Sequence, residues 1–283
     1  MNKQSKSFSW ARLGKLLVLI VFAIYLIICA ATAFNQRSLI YHPRVFTREQ
    51  VNQRAQATRL ERWTNSAGEF IGFKQLSPKQ PADGIVLLTY GNGNTAVGCD
   101  HYANDIQSAA AFDVFILEYP GYEDRPGEPS QTSLFAAATE ALQMLPTNQP
   151  IYLVGESLGS GVAAYLAGTY SNRVAGVFLI SPFNNLTGVA QNHFPFLPVG
   201  LLLVDRFPSE KYLRNYHGKL GMSVDGRDIV VPEKFGLRLY HGYNGPKKLW
   251  QFPDGSHCEI SAAPKPFWDE VVTFWQTNQT TVK

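Results

Sequence analysis

The sequence predicts an α/β fold, with a mostly parallel twisted sheet covered by helices on both faces and one further helix at the N-terminus. Largely apolar runs of strand length recur at 85–90, 114–119, 151–154 and 174–180, and such runs are typical of strands buried on both faces. Segments that suit helices separate these runs, which implies right-handed crossovers between parallel strands. An uncharged apolar stretch near the N-terminus predicts the additional helix.

The other elements follow from the same patterns. Residues 50–62 are polar with scattered apolar positions, and they predict a surface helix or a connector. Further predicted strands lie at 60–64, 70–76, 220–224 and 248–252. The predicted helices lie at 101–111, 133–145, 158–169, 233–240 and 267–275.

One segment, Pro182–Gly218, interrupts the alternation of strands and helices. It is longer than a single crossover needs, and it is rich in proline and large apolar residues. We interpret it as a short helical cap over the carboxyl edge of the sheet. The predicted division is then a basic tail at 1–12, a transmembrane anchor at 13–33, a connector at 34–58 and one domain at 59–283.

The anchor prediction depends on Leu16–Ala33, which contains no charged residue and follows several basic ones. A helix needs about 20 apolar residues to cross a bilayer, and Leu13 and Gly14 extend the stretch toward that length. The alternative is a cleaved signal peptide, because Ala31-Thr32-Ala33 fits a small-x-small cleavage site. The apolar stretch is longer than the apolar region of most signal peptides, about 7–15 residues, which favours a single-pass membrane protein. The positive-inside rule favours a cytoplasmic N-terminus and an exported domain.

Composition excludes several classes of function. The net charge of +3 comes from scattered residues, so nucleic-acid binding is not expected. Three cysteines without a C-x-x-C spacing predict neither a disulfide framework nor a zinc site. The chemistry predicted below requires no metal and no organic cofactor.

The most informative motif is G-x-S-x-G, at Gly155, Ser157 and Gly159. It follows a buried strand and opens a helix, which is the context of a nucleophile elbow. The turn is tight, so side chains at the two glycines would collide with neighbouring backbone. The motif therefore predicts Ser157 as a nucleophile and the N–H of Leu158 as an oxyanion donor.

A second oxyanion donor is expected from the loop after an earlier strand. That strand ends at Tyr90, and 91–95 reads Gly-Asn-Gly-Asn-Thr. Glycines allow backbone N–H groups to approach a substrate closely. We predict Asn92 as the donor, with Gly93 as its neighbour.

A serine nucleophile needs a base, and in this arrangement the chain order is serine, acid, histidine. His257 lies in a loop between the last predicted strand and the last helix, where the base is expected. Asp228 lies beyond the end of the preceding strand and is the favoured acid. Asp225 stays open as an alternative, although it also suits a turn.

Together these segments resemble the membrane-anchored α/β-hydrolase-domain proteins, a group of serine hydrolases. The matching segments lie at 38–43, 90–94, 118–130, 181–183, 194–198, 228–232 and 255–257. The resemblance implies an α/β-hydrolase fold and a Ser157–His257–Asp228 triad. In place of the histidine that the group usually has before the oxyanion glycine, this sequence has Tyr90.

An apolar cap beside a membrane anchor favours a carboxylic ester, an acyl thioester or a lipid acyl bond as the substrate. Cleavage would proceed through an acyl-enzyme on Ser157. The predicted substrate contacts are Tyr90, Phe183, Phe194 and Phe196. Two alternatives remain, a serine peptidase of the same fold and an inactive binding protein that keeps the hydrolase scaffold.

Overall fold

The structure is a computed structural model that describes residues 10–259 and 266–277. Parts of the predicted basic tail and of the end of the predicted domain, 1–9 and 278–283, lie outside the described residues. In the described part of the chain, eight strands form one sheet in the order β1-β2-β4-β3-β5-β6-β7-β8. The strands are β1 Glu61–Thr64, β2 Phe70–Gln75, β3 Gly84–Thr89, β4 Phe112–Leu117, β5 Ile151–Glu156, β6 Val174–Ile180, β7 Lys219–Asp225 and β8 Lys247–Phe252.

The sheet is mixed but mostly parallel, as predicted. β2 runs antiparallel to β1 and β4, and every other neighbouring pair is parallel. All six residues of β3 are buried, which explains why this strand is a continuous apolar run. The carboxyl ends of the parallel strands meet along one edge, and that edge holds the site described below.

Helices cover both faces of the sheet. A Cβ on Gly155 would meet Ala163 of α5, whereas Tyr152 of the same strand stacks on Trp275 of α10 at 4.8 Å between ring centroids. Since successive side chains of a strand point to opposite faces, α5 and α10 lie on opposite sides of the sheet. The helices are α1 Trp10–Ile40, α2 Arg48–Gln56, α3 Asp100–Ala109, α4 Gln131–Met144, α5 Leu158–Thr169, α6 Leu186–His193, α7 Val199–Leu202, α8 Ser209–Leu213, α9 Glu233–Gly242 and α10 Phe267–Gln276.

The segment between β6 and β7 contains the three short helices α6, α7 and α8. It forms the cap. Several of its large apolar side chains are exposed, in contrast to the buried core of the sheet.

The N-terminal helix α1 is long and apolar enough to cross a membrane, judged by its length and composition. It continues beyond residue 33, the predicted end of the anchor, as far as Ile40. The helix ends shortly before Pro43, a residue that disfavours helix at the preceding position. The predicted connector at 34–58 therefore begins inside α1, and it also contains α2.

Candidate active site

The turn between β5 and α5 places Ser157 in a strained backbone conformation, with φ 49° and ψ −115°. The residues two positions before and after it must be glycine. A Cβ at Gly159 would lie 2.2 Å from the carbonyl oxygen of Thr89, and a Cβ at Gly155 would lie 2.7 Å from the carbonyl oxygen of Gly159. A conformation of this kind costs about 1–3 kcal/mol, and it persists only where the surrounding structure enforces it. The close approach of β3, β5 and α5 therefore forms the sharp turn.

Gly159→Ala is expected to lower the free energy of unfolding by about 3 kcal/mol, because the new methyl group meets backbone that cannot move aside. Denaturant unfolding of the detergent-solubilised protein measures this loss. Gly200→Ala is the matched control, since nothing lies within 4 Å of a Cβ at Gly200. Equal stabilities of the two variants would contradict the prediction.

The structure brings together Ser157, His257 and Asp228, which come from three separate loops. Nε2 of His257 lies 2.9 Å from Oγ of Ser157, and its Nδ1 lies 2.6 Å from Oδ2 of Asp228. The other carboxylate oxygen, Oδ1, accepts the N–H groups of Val230 and Val231 at 2.8 and 2.7 Å. The Asp228 side chain is 1% exposed. Its orientation is fixed because one carboxylate oxygen contacts the imidazole and the other accepts two backbone N–H groups.

Asp225, the alternative acid, makes different contacts. Its Oδ2 accepts the hydroxyl of Ser181 at 2.7 Å, and Oγ of Ser181 accepts the N–H of Cys258 at 3.0 Å. Burial raises the pKa of Asp225 above its ordinary value. Asp225 therefore supports the loop that carries His257, whereas Asp228 contacts the imidazole itself.

The oxyanion prediction named Leu158, Asn92 and Gly93. Leu158 and Asn92 line the cavity beside Ser157, whereas Gly93 is not among the residues that line it. The side-chain Nδ2 of Asn92 donates to the carbonyl of Ile40 at 2.7 Å, and the backbone carbonyl of Asn92 accepts the hydroxyl of Tyr122 at 2.9 Å. The loop is thus held from two sides, one of which is the end of α1.

Glu156, the residue before Ser157, also supports this loop and was not singled out from the sequence. Its Oε1 accepts the N–H of Gly91 at 3.2 Å, and its Oε2 accepts the hydroxyl of Tyr102 at 2.5 Å. A Cβ at Gly91 would lie 2.7 Å from Oε1, so a larger residue there would displace the Glu156 carboxylate. Only its position inside the G-x-S-x-G motif could have drawn attention to Glu156.

Tyr90 was predicted to contact substrate, but the structure does not bring it to the cavity. It is fully buried, and its hydroxyl donates to Oε1 of Glu118. Burial raises the pKa of the Glu118 carboxyl well above its usual range. Tyr90 directly follows the central strand β3, and its side chain is packed in the core and does not line the cavity.

A cavity of about 200 Å³ opens beside Ser157. Of the residues predicted to contact substrate, Phe183 and Phe194 line this cavity, whereas Phe196 does not and is 87% exposed. Phe196 belongs to the cap loop between α6 and α7. One wall consists of residues from α1, namely Thr32, Ala33, Gln36, Leu39 and Ile40. Their spacing places them on one helix face, but an apolar span by itself carries no sign of such a role.

Comparison with known proteins agrees with this architecture. The family model described as alpha/beta hydrolase fold matches residues 84–227, just over half of the chain. The chain belongs to the α/β-hydrolase fold family. This match covers the sheet from β3 to β7 and includes Ser157.

Two relatives and one solved structure show how far the similarity extends. An uncharacterised protein of Mycobacterium tuberculosis is 31% identical over 181 residues, 59% of this chain and 64% of that protein. Lysophosphatidylserine lipase ABHD12 of Bos taurus is 30% identical over 202 residues, 63% of this chain and 50% of that protein. The chain thus spans half to two thirds of the length of these relatives, and the predicted resemblance to the α/β-hydrolase-domain group is confirmed. The Pyrococcus furiosus esterase Pf2001 superposes with a TM-score of 0.59 at 14% identity, covering 83% and 95% of the two chains, and supports the fold.

Proposed function

We propose that this protein is a serine hydrolase that cleaves an acyl ester bond through an acyl-enzyme on Ser157. The observation that carries the proposal is the geometry of one imidazole, which lies 2.9 Å from the Ser157 hydroxyl and 2.6 Å from the Asp228 carboxylate. A base within hydrogen-bond reach of a serine, and itself oriented by an acid, is the arrangement that nucleophilic catalysis needs.

In this mechanism, Oγ of Ser157 attacks the carbonyl carbon while Nε2 of His257 takes its proton. The N–H groups of Leu158 and Asn92 stabilise the oxyanion. His257 then protonates the leaving alcohol, which departs and leaves the acyl group on Ser157. Water, deprotonated by His257, releases the acid and restores the serine.

The lining of the cavity favours an acyl chain as the bound group. The aromatic rings of Phe183 and Phe194 and the aliphatic side chains of α6 and α7 surround the space beside Ser157. A thioester or a lipid acyl bond fits the same chemistry. Similarity to a lysophosphatidylserine lipase and to an esterase supports this class of substrate.

We further propose that α1 is retained as a single-pass membrane anchor. Cleavage after Ala33, at the alternative signal-peptide site, would remove residues 1–33 and with them Thr32 and Ala33 of the cavity wall. A retained helix keeps the wall complete. The basic residues before it favour a cytoplasmic N-terminus.

Labelling with a fluorophosphonate probe tests the proposal. The full-length protein in detergent is expected to label, and Ser157→Ala is expected to abolish the signal while the protein stays folded. Ser108→Ala, an exposed serine on α3, is the control and should label as the wild type does. Absence of Ser157-dependent labelling would refute the hydrolase proposal and favour the inactive binding protein.

A further inference from the structure

The face of the cap beside α1 is apolar although it is exposed. Three side chains on this face are at least 65% exposed, and we refer to them as the leaflet face. They are Phe196, Leu201 and Val204. Exposed apolar side chains that cluster in this way mark a surface that is covered in the working protein.

The leaflet face lies along α1, the helix that is able to cross a membrane. The hydroxyl of Tyr25 donates to the carbonyl of Phe196 at 3.0 Å. Tyr25 lies about 12 Å along the helix from Ala33, well inside the uncharged stretch. If α1 spans the membrane, the loop that carries Phe196 therefore lies at the depth of the lipid acyl chains. Tilting of this long helix would bring the loop closer to the membrane interface.

Several backbone polar groups of this cap loop are hydrogen-bonded by side chains of the protein, as an environment without water requires. Nε2 of Gln191 donates to the carbonyls of residues 194, 195 and 197 at 3.1–3.2 Å. Gln36 of α1 donates to the carbonyl of Leu202 at 3.2 Å and accepts the N–H of Val204 at 2.7 Å. Irregular backbone is tolerated at membrane depth only when the protein itself satisfies its polar groups.

Charged groups lie where a membrane surface is expected. Arg37 follows the uncharged stretch, and its Nε lies 3.5 Å from Oδ2 of Asp205. Asp205 also accepts the hydroxyl of Tyr41 at 2.9 Å. A charge pair at the end of an apolar helix suits the headgroup region, and here it joins α1 to the cap.

We propose that the leaflet face inserts into the membrane leaflet next to α1, and that α1 forms a wall of the acyl cavity, so that an acyl chain enters from the bilayer. The inference rests on the proposed ester hydrolysis and adds the source of the substrate to it. A cavity of about 200 Å³ is small, because sites for drug-sized ligands occupy roughly 300–1,000 Å³.

Fluorescence quenching tests the insertion directly, without reference to activity. The full-length protein is reconstituted in vesicles of brominated phosphatidylcholine. The tryptophan fluorescence that Leu201→Trp adds to that of the wild type should be quenched by the brominated lipid. The fluorescence that Leu76→Trp adds should not be quenched. Leu76 follows β2 at the opposite edge of the sheet, because β2 is antiparallel to β4. Equal quenching of the two would overturn the insertion and leave a protein partner as the occupant of the face.

A kinetic comparison tests whether insertion delivers substrate. The double variant Phe196→Ser, Leu201→Ser should lose at least about tenfold in hydrolysis of 4-methylumbelliferyl palmitate held in phosphatidylcholine vesicles. Its hydrolysis of water-soluble p-nitrophenyl acetate should stay within about twofold. The control is Leu76→Ser, Met144→Ser, another pair of exposed apolar residues. Equal rates of the two double variants on the palmitate ester would overturn delivery from the bilayer.

The wall formed by α1 has its own test. Ala33→Phe narrows the cavity, and the ratio of palmitate to acetate hydrolysis should fall at least about tenfold. Ala31→Phe is the matched control, since Ala31 is exposed on the same helix and does not line the cavity. The same ratio for both variants would contradict the proposal that α1 forms a wall of the acyl cavity. A wild-type protein that hydrolyses neither ester would instead refute the proposed function, and the quenching result would still stand.

Discussion

Ser157→Ala is expected to lower kcat for hydrolysis of p-nitrophenyl acetate by roughly 10⁵-fold, and His257→Ala is expected to cost about as much. The two side chains share one hydrogen bond of 2.9 Å and act as a unit. The double variant should therefore be no slower than either single variant. The residual rate would come from substrate binding and from the oxyanion donors.

The measurement is steady-state hydrolysis by each purified variant, with thermal unfolding as a check on the fold. Ser108→Ala should retain the wild-type kcat, because this serine lies on the exposed side of α3. Additive losses in the double variant would contradict a shared function of Ser157 and His257. A small loss in Ser157→Ala would mean that another group is the nucleophile.

Asp228→Asn is expected to lower kcat by about 10⁴-fold. Oδ1 of Asp228 accepts two backbone N–H groups, so the carbonyl oxygen of an asparagine takes that position. Its NH₂ group then faces Nδ1 of His257 and forces the imidazole to carry its proton on Nε2. That nitrogen points at Ser157 and can no longer accept the hydroxyl proton.

Asp225→Asn is the matched comparison, with the same chemical change three residues away. An asparagine oxygen can still accept the Ser181 hydroxyl, so the loss in kcat should be about tenfold or less. Both variants are assayed on the soluble ester, and their folding is compared by thermal unfolding. A larger loss in Asp225→Asn than in Asp228→Asn would assign the role of the acid to Asp225.

The fold was accessible from the sequence because its signals are local. A strand buried on both faces must be largely apolar, as β3 and β6 are. The turn at Ser157 needs glycine at fixed positions, because a Cβ at Gly159 would meet the backbone of β3 at 2.2 Å. His257 and Asp228 could be predicted because a nucleophile elbow has the chain order serine, acid, histidine, with the acid and the histidine in loops after later strands.

Other features depended on contacts between distant parts of the chain. The sequence left two carboxylates open, and only the packing of the loops after β7 and β8 directs Asp228, not Asp225, to the imidazole. The sequence predicted Tyr90 as a substrate contact, but at its position next to a central strand the side chain points into the core.

The sequence by itself determined the arrangement of strands and helices, the strained serine turn and the apolar N-terminal helix, because periodicity, glycine spacing and hydropathy each act over a few residues. Only the tertiary structure decided that Ala33 and Gln36 border the cavity of Ser157. These two residues and Ser157 are more than a hundred residues apart in the sequence. No local sequence pattern predicts that they line one cavity, because this depends on how the cap and the sheet pack around α1.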